Sequence, residues 1–189
     1  MHNGLALAPG SLGALAQRDG LSLAESFLNV DGIIIVDVSS SMQDQDAPGG
    51  KSRYAAALEE LAALQANLPG KVAVIAFSNM PQFVPGGLPP MSGGTTNLAQ
   101  ALRFAQAADG VPGMRFVVIS DGQPDNEDEA LKVATCFKNR IDTIFVGSEL
   151  HPVGRDFLRR LAERSGGRQA IADRTYQLSA KVQQMLLTA

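Results

Sequence analysis

The run Ile33-Ile34-Ile35-Val36 ends in Asp37, and serines follow at positions 39, 40 and 41. Four consecutive β-branched apolar residues read as a strand buried on both faces, because parallel strands are covered on both sides and need not alternate. Asp37 then sits where the strand runs out, with Ser39 and Ser41 on the loop leaving the sheet. One carboxylate and two neutral hydroxyls on a short loop form a partial shell for a hard cation, which prefers oxygen ligands. The same nine residues also fit a strand end followed by an ordinary serine-rich turn.

The remainder of the chain supplies neighbours for that strand. Apolar residues at helical spacing (Tyr54, Leu58, Leu61, Leu64, Leu68) predict a helix over 52–67, stopped by Pro69-Gly70. Strands are expected at 72–77 and 116–120, with a short edge strand at Phe83-Val84 flanked by Pro81 and Pro85. A glycine-bearing loop, 91–97, opens a helix that carries Leu98, Leu102 and Ala105 and ends near Asp109-Gly110. Asp125 reads as the N-cap of the next helix, with Glu127, Asp128 and Glu129 in its first turn, where the helix dipole favours acids. That helix is expected to reach about Asn139 and to bury Leu131, Ala134 and Phe137. A strand over 141–146, a helix over 154–165, a short strand at 169–172 and a closing helix over 175–187 complete the pattern.

Alternation of strands and helices predicts an α/β fold: a three-layer, doubly wound (Rossmann-like), mainly parallel sheet with one short antiparallel edge strand and helices on both faces. Residues 31–189 form this domain. Residues 1–30 differ in texture: Gly4, Pro9, Gly10, Gly13 and Gly20 argue against regular structure in the first twenty positions, and a short helix fits 21–29. This stretch is either an N-terminal arm packed on the domain or a partly disordered tail.

Composition removes several function classes. Lys and Arg number 16 against 19 Asp and Glu, a net charge of −3 with no general pull toward nucleic acid or anionic membrane. The one cysteine, Cys136, excludes an internal disulfide and any multi-cysteine metal site, and two histidines, His2 and His151, leave little scope for a zinc centre. No apolar run approaches the roughly 20 residues of a membrane span, and the start lacks the basic flank of a secretory signal. A monomeric cytoplasmic protein is the expectation.

Ligands of open α/β sheets bind beyond the carboxyl ends of the strands, where strand order reverses. In a doubly wound order the first and fourth strands, ending in Asp37 and Asp121, lie side by side there. Neighbouring strands lie about 4.8 Å apart, so both carboxylates project into one crevice, and a divalent cation relieves their repulsion. The Gly93-Gly94 pair allows close backbone approach, and Thr95 adds a third hydroxyl. Two carboxylates and three hydroxyls suit Mg²⁺, which keeps waters in its shell.

Taken together, Asp37-Val38-Ser39-Ser40-Ser41, Gly93-Gly94-Thr95 and Ser120-Asp121-Gly122 resemble the metal-ion-dependent adhesion site of von Willebrand factor A domains. That family's pattern is D-x-S-x-S, a distant threonine, and an aspartate in a T/S-D-G turn; the resemblance covers about residues 31–189. Ser40 departs from it, standing where many members have glycine. The resemblance implies that Ser39, Ser41 and Thr95 ligate the metal directly or through water, while Asp37 and Asp121 mainly hold bound waters. It further implies a stand-alone module of bacterial type that binds Mg²⁺ (Mn²⁺ or Ca²⁺ as alternatives). A partner protein's acidic side chain completes the shell, the partner being an ATPase of the AAA+ class or a component of an assembly complex. Met42, Gln43, Met91 and Gln123 are the expected partner-binding rim, with Pro124 beside them.

Other features read as structural. Asp44 and Asp46 suit a solvated rim, Cys136 a buried structural thiol, and Arg155, Arg159, Arg160, Arg164, Arg168 and Arg174 a helix face paired with Asp156, Glu163 and Asp173. No G-x-S-x-G elbow or G-x-x-x-x-G-K-[ST] phosphate loop is present. A haloacid-dehalogenase-like phosphatase also starts from an acid at a strand end, but its second acid, two residues on, is here Ser39. The alternatives to a binding module are therefore a metal-dependent phosphatase-like hydrolase using the same crevice, or a scaffold with an idle metal site.

Overall fold

The computed structural model describes residues 7–47, 49–148 and 152–171. In chain order the elements are α1 (Leu12–Asp19), α2 (Leu23–Phe27), β1 (Gly32–Asp37), α3 (Arg53–Asn67), β2 (Val72–Phe77), β3 (Pro81–Phe83), α4 (Leu98–Ala105), β4 (Arg115–Ser120), α5 (Glu127–Ala134), β5 (Ile141–Phe145), α6 (Pro152–Arg164) and β6 (Gln169–Ile171). The strands form one sheet in the order β3-β2-β1-β4-β5-β6. Only the β2–β3 pair is antiparallel. The doubly wound α/β fold is thus as expected, and β1 and β4 are neighbours, with Ile35 opposite Val118 and Val36 opposite Ile119.

Successive side chains of a strand point to opposite faces, and the apolar runs divide accordingly. Ile33, Ile35, Phe116 and Val118 join α4, α5 and α6 through Leu102, Leu131 and Leu158. Ile34, Val36, Val74 and Ile119 join α3 through Ala57, Leu61 and Leu64. All six residues of β1 are buried, including Asp37.

Several local expectations change. The first twenty residues do contain a helix: the Ser11 hydroxyl accepts the Ala14 N–H, and Gly20, at φ +67°, closes α1 by donating its N–H to the Ala16 carbonyl. Pro9-Gly10 and Gly20 flank this helix, and Gly13 lies within it. α2 is shorter than expected and carries a Ser22–Glu25 capping box. β3 includes Pro81, tolerated because this strand lies at the sheet edge. Asn126, not Asp125, caps α5 by accepting the Glu129 N–H at 3.0 Å. α5 also stops at Ala134 rather than near Asn139. The Asp109 carboxylate accepts the N–H groups of Lys138 at 2.7 Å and Asn139 at 2.9 Å, drawing the chain out of helical register. Cys136 is exposed on that turn, not buried. The arginine-bearing helix is a solvated face: Arg159 pairs with Glu163 at 2.8 Å, and Arg160 with Glu127 at 3.2 Å. The closing helix expected over 175–187 lies outside the described residues, as do Asp173, Arg174 and His151. Among the described residues, no helix is long and apolar enough to cross a membrane.

Candidate metal centre

The β1–β4 seam places two carboxylates together at the ends of their strands. Asp37 is buried and fully engaged: Oδ1 accepts the Ser39 N–H at 2.9 Å, and Oδ2 accepts the Ser120 hydroxyl at 2.7 Å. Ser120 also accepts the Gly122 N–H at 3.0 Å, so this one hydroxyl shapes the turn that carries Asp121. Burial pushes the Asp37 carboxyl up to about 6; the bond from Ser39 opposes the rise, and the nearby charge of Asp121 adds to it. A carboxylate here holds its negative charge against desolvation and against a second carboxylate, which is the situation a bound cation relieves.

Ser39 and Ser41 leave β1 on a 3₁₀ turn, and their hydroxyl oxygens lie 3.2 Å apart. Thr95 is on an adjoining loop. The Gly94 N–H donates to the Ser40 hydroxyl at 2.9 Å, and the Ser40 N–H donates to the Gly94 carbonyl at 3.3 Å. Ser40, the departure from the resembled pattern, therefore helps fasten this loop to the Asp37–Ser41 crescent, together with the Gly93 N–H, which donates to the Val38 carbonyl at 2.9 Å. The Thr95 hydroxyl donates to Asn79 Oδ1 at 3.0 Å, and the Thr95 N–H donates to the same oxygen. A hydroxyl that gives its proton to Asn79 keeps its lone pairs for a cation. Gly94, at φ +86°, packs so tightly on Asn79 that a Cβ would fall 2.4 Å from that oxygen. Thr96 is buried, and its N–H donates to the Asp125 carboxylate at 2.9 Å. Asp125 thus ties the Thr95 loop to the β4–α5 turn instead of capping α5.

The structure joins Asp37, Ser39, Ser41 and Asp121 directly to one another's surroundings, and brings Thr95 alongside through Ser40. The donor set, all hydroxyl and carboxylate oxygen, fits a hard divalent cation of the Mg²⁺ kind. Among the described residues there is no cluster of three or more His, Cys, Asp and Glu able to hold a metal; most oxygens of the candidate set come from hydroxyls.

One strong contact was not foreseen. Arg53, the first residue of α3, donates from Nη1 to Asp121 Oδ2 at 2.8 Å and from Nε and Nη2 to the two Asp46 oxygens, each at 2.7 Å. Asp44 stands 3.4 Å from the same guanidinium. Asp44 and Asp46 are therefore ion-pair partners more than a free rim. The bonds from Arg53 hold the Asp46 carboxyl below the usual carboxylate range. A signal was present in the sequence: a cation in the first turn of a helix opposes the dipole and calls for nearby acids.

The rim needs one correction. Met42 is 0 % exposed, packed in the α3-side core, and cannot touch a partner. The 3₁₀ turn rotates it inward, beneath the loop. Gln43 and Gln123 are exposed and Met91 is half-buried. Away from the crescent, α2, α4 and the sheet enclose an apolar groove of about 750 Å³ lined by Phe27, Ile75, Phe83 and Phe104. It offers few polar groups and lies apart from the carboxylates.

A six-stranded doubly wound sheet with one antiparallel edge strand is consistent with the von Willebrand factor A-type fold. Solved structures share it. An aerotolerance-related membrane protein from Bacteroides fragilis NCTC 9343 superposes with a TM-score of 0.64 at 17% identity, over 83% of this chain and 98% of that one. BatB from Bacteroides thetaiotaomicron gives 0.60 at 17% identity, over 84% and 100%. The ArnB paralog VWA2 from Sulfolobus acidocaldarius gives 0.58 at 18% identity, over 84% of this chain and 44% of that one. No protein-family model matches the sequence, and no curated protein does. The likeness is one of fold.

Proposed function

We propose that this chain is a protein-interaction module whose crescent, Asp37, Ser39, Ser41, Thr95 and Asp121, holds Mg²⁺ and presents it to an acidic side chain of a partner protein. The observation that carries the reading is the pair of buried carboxylates at adjacent strand ends, with two hydroxyls 3.2 Å apart beside them. Bound there, the cation supplies a Lewis-acidic position that an incoming carboxylate can occupy. This chain's residues do the rest. Ser39, Ser41 and Thr95 offer lone pairs; Asp37 and Asp121 hold the shell; Ser120 and Asn79 orient their neighbours.

The role is binding rather than catalysis. Both Asp37 oxygens are turned into the fold by Ser39 and Ser120, an arrangement poorly suited to a nucleophile that must attack phosphorus. An ATPase of the AAA+ class or an assembly complex is the kind of partner we favour. The test is a pull-down with Mg²⁺ and with chelator, comparing the wild type with Asp121→Ala, alongside thermal melts. A ligand at about 100 times its Kd stabilises the native state by roughly 2.7 kcal/mol. A melting temperature indifferent to millimolar Mg²⁺, Mn²⁺ and chelator would remove the metal from this reading.

A further inference from the structure

The guanidinium of Arg53 occupies a position that charge balance alone does not require of a helix start. Its side chain is 3 % exposed, and that of Asp121 is 1 % exposed. Water screens their interaction little. Burial of an ion pair is seldom a net gain in stability, and the N-terminus of α3 repels a cation. Arg53 remains charged at any accessible pH, because guanidinium does not deprotonate in proteins. It takes Asp121 Oδ2, an oxygen of the same carboxylate that the proposed centre uses. It also donates to a second anchor, the two Asp46 oxygens, which divides its charge between the centre and the 44–46 loop.

We propose that Arg53 is a built-in counter-cation: it neutralises Asp121 when no metal is bound and competes with the metal for that carboxylate, and Asp46 sets how strongly it does so. The inference rests on the metal-binding reading above and adds its regulation. Two cations sharing one buried carboxylate repel each other, so Arg53 weakens metal binding while keeping the metal-free crescent folded. Asp46 moderates this by drawing guanidinium charge outward. Its side chain is 28 % exposed and Asp44's 62 %, so changes at the surface of the 44–46 loop reach the centre through Arg53.

The test measures Mn²⁺ and Mg²⁺ affinity by calorimetry, and melting in chelator and in metal, for the full chain and four variants. Arg53→Met should melt lower than wild type in chelator, gain more from Mn²⁺, and bind it at least about tenfold more tightly, since a full unit charge about 4 Å away at an effective dielectric near 20 sets an upper bound of about a thousandfold and the Asp46 pair offsets part of it. Arg53→Lys keeps the charge, so it should retain near-wild-type affinity even where its geometry loosens the fold. Asp46→Asn should act in the opposite direction to Arg53→Met, weakening Mn²⁺ binding, and by more than Asp44→Asn, which removes the same charge from a longer contact. Should Arg53→Met not fold, the ordering of wild type, Asp46→Asn and Asp44→Asn decides. If the wild type binds Mn²⁺ and Arg53→Met binds it equally or more weakly, or if Asp46→Asn and Asp44→Asn are indistinguishable, Arg53 is a structural ion pair and the inference is overturned while the metal reading stands. If neither wild type nor folded Arg53→Met binds Mn²⁺, the metal reading itself fails.

Discussion

The Ser120 hydroxyl donates to Asp37 Oδ2 at 2.7 Å, joining the end of β4 to the end of β1. The bond lets a buried carboxylate stay where the chain places it. It also makes Ser120, not a ligand in any reading of the motif, the residue on which two others depend: Asp37 through its hydrogen and Asp121 through the Gly122 turn.

Ser120→Ala therefore strips one bond from a buried carboxylate and leaves the Gly122 N–H without its acceptor. Unfolding in urea should show a loss of about 2 kcal/mol. Ser120→Thr retains the hydroxyl and should recover most of it. Equal stability of Ser120→Ala and wild type would mean that this bond does not hold the seam.

The position of the Asp37 titration sets a pH dependence for the protein in chelator. Its folded value is raised to about 6 from 3.8. Below about pH 3 the group is protonated in folded and unfolded chains alike. As pH rises toward 6 the unfolded chain releases the proton first, so stability falls across that window by about 3 kcal/mol. Asp37→Asn should remove this component: its stability difference from wild type grows between pH 4 and pH 6.5 and is flat above. A difference independent of pH would place the folded titration near its ordinary value.

Gly122 sits at φ +74° with Gly154 directly against it; a Cβ would fall 2.0 Å from the Gly154 carbonyl oxygen. Gly122→Ala thus meets both backbone strain and a backbone clash at the start of α6. A loss of at least about 2 kcal/mol is expected, with weakened Mn²⁺ binding because Asp121 is displaced. Retained stability and affinity would show that the turn can move without consequence.

Gln43 and Gln123 are exposed members of the expected rim. Replacing both with alanine should change stability by less than about 0.5 kcal/mol each and leave Mn²⁺ affinity unchanged, while Mg²⁺-dependent capture of the partner is lost. Capture that persists would move the interface off this rim.

Local sequence determined the elements. A β-branched run is buried wherever it goes, so β1, β2, β4 and β5 were legible, as was α3 with its Ser52 start and Pro69-Gly70 stop. The placement of Asp37, Ser39 and Ser41 at the end of β1 was legible too, since they are neighbours in the chain, and Asp121 directly follows β4, whereas Thr95 lies on the loop that opens α4. What sequence could not show depended on contacts between distant residues. Arg53 meets Asp121 across 68 positions and Ser120 meets Asp37 across 83. Asp125 leaves its expected cap because Thr96 offers an N–H, and Met42 turns inward because a single 3₁₀ turn follows Ser39. Hydrophobic periodicity is a property of a segment and survives in the sequence. The partner of a charge or a hydroxyl is decided only when strand order brings the two ends together, because such bonds act over about 3 Å and carry no periodic signature.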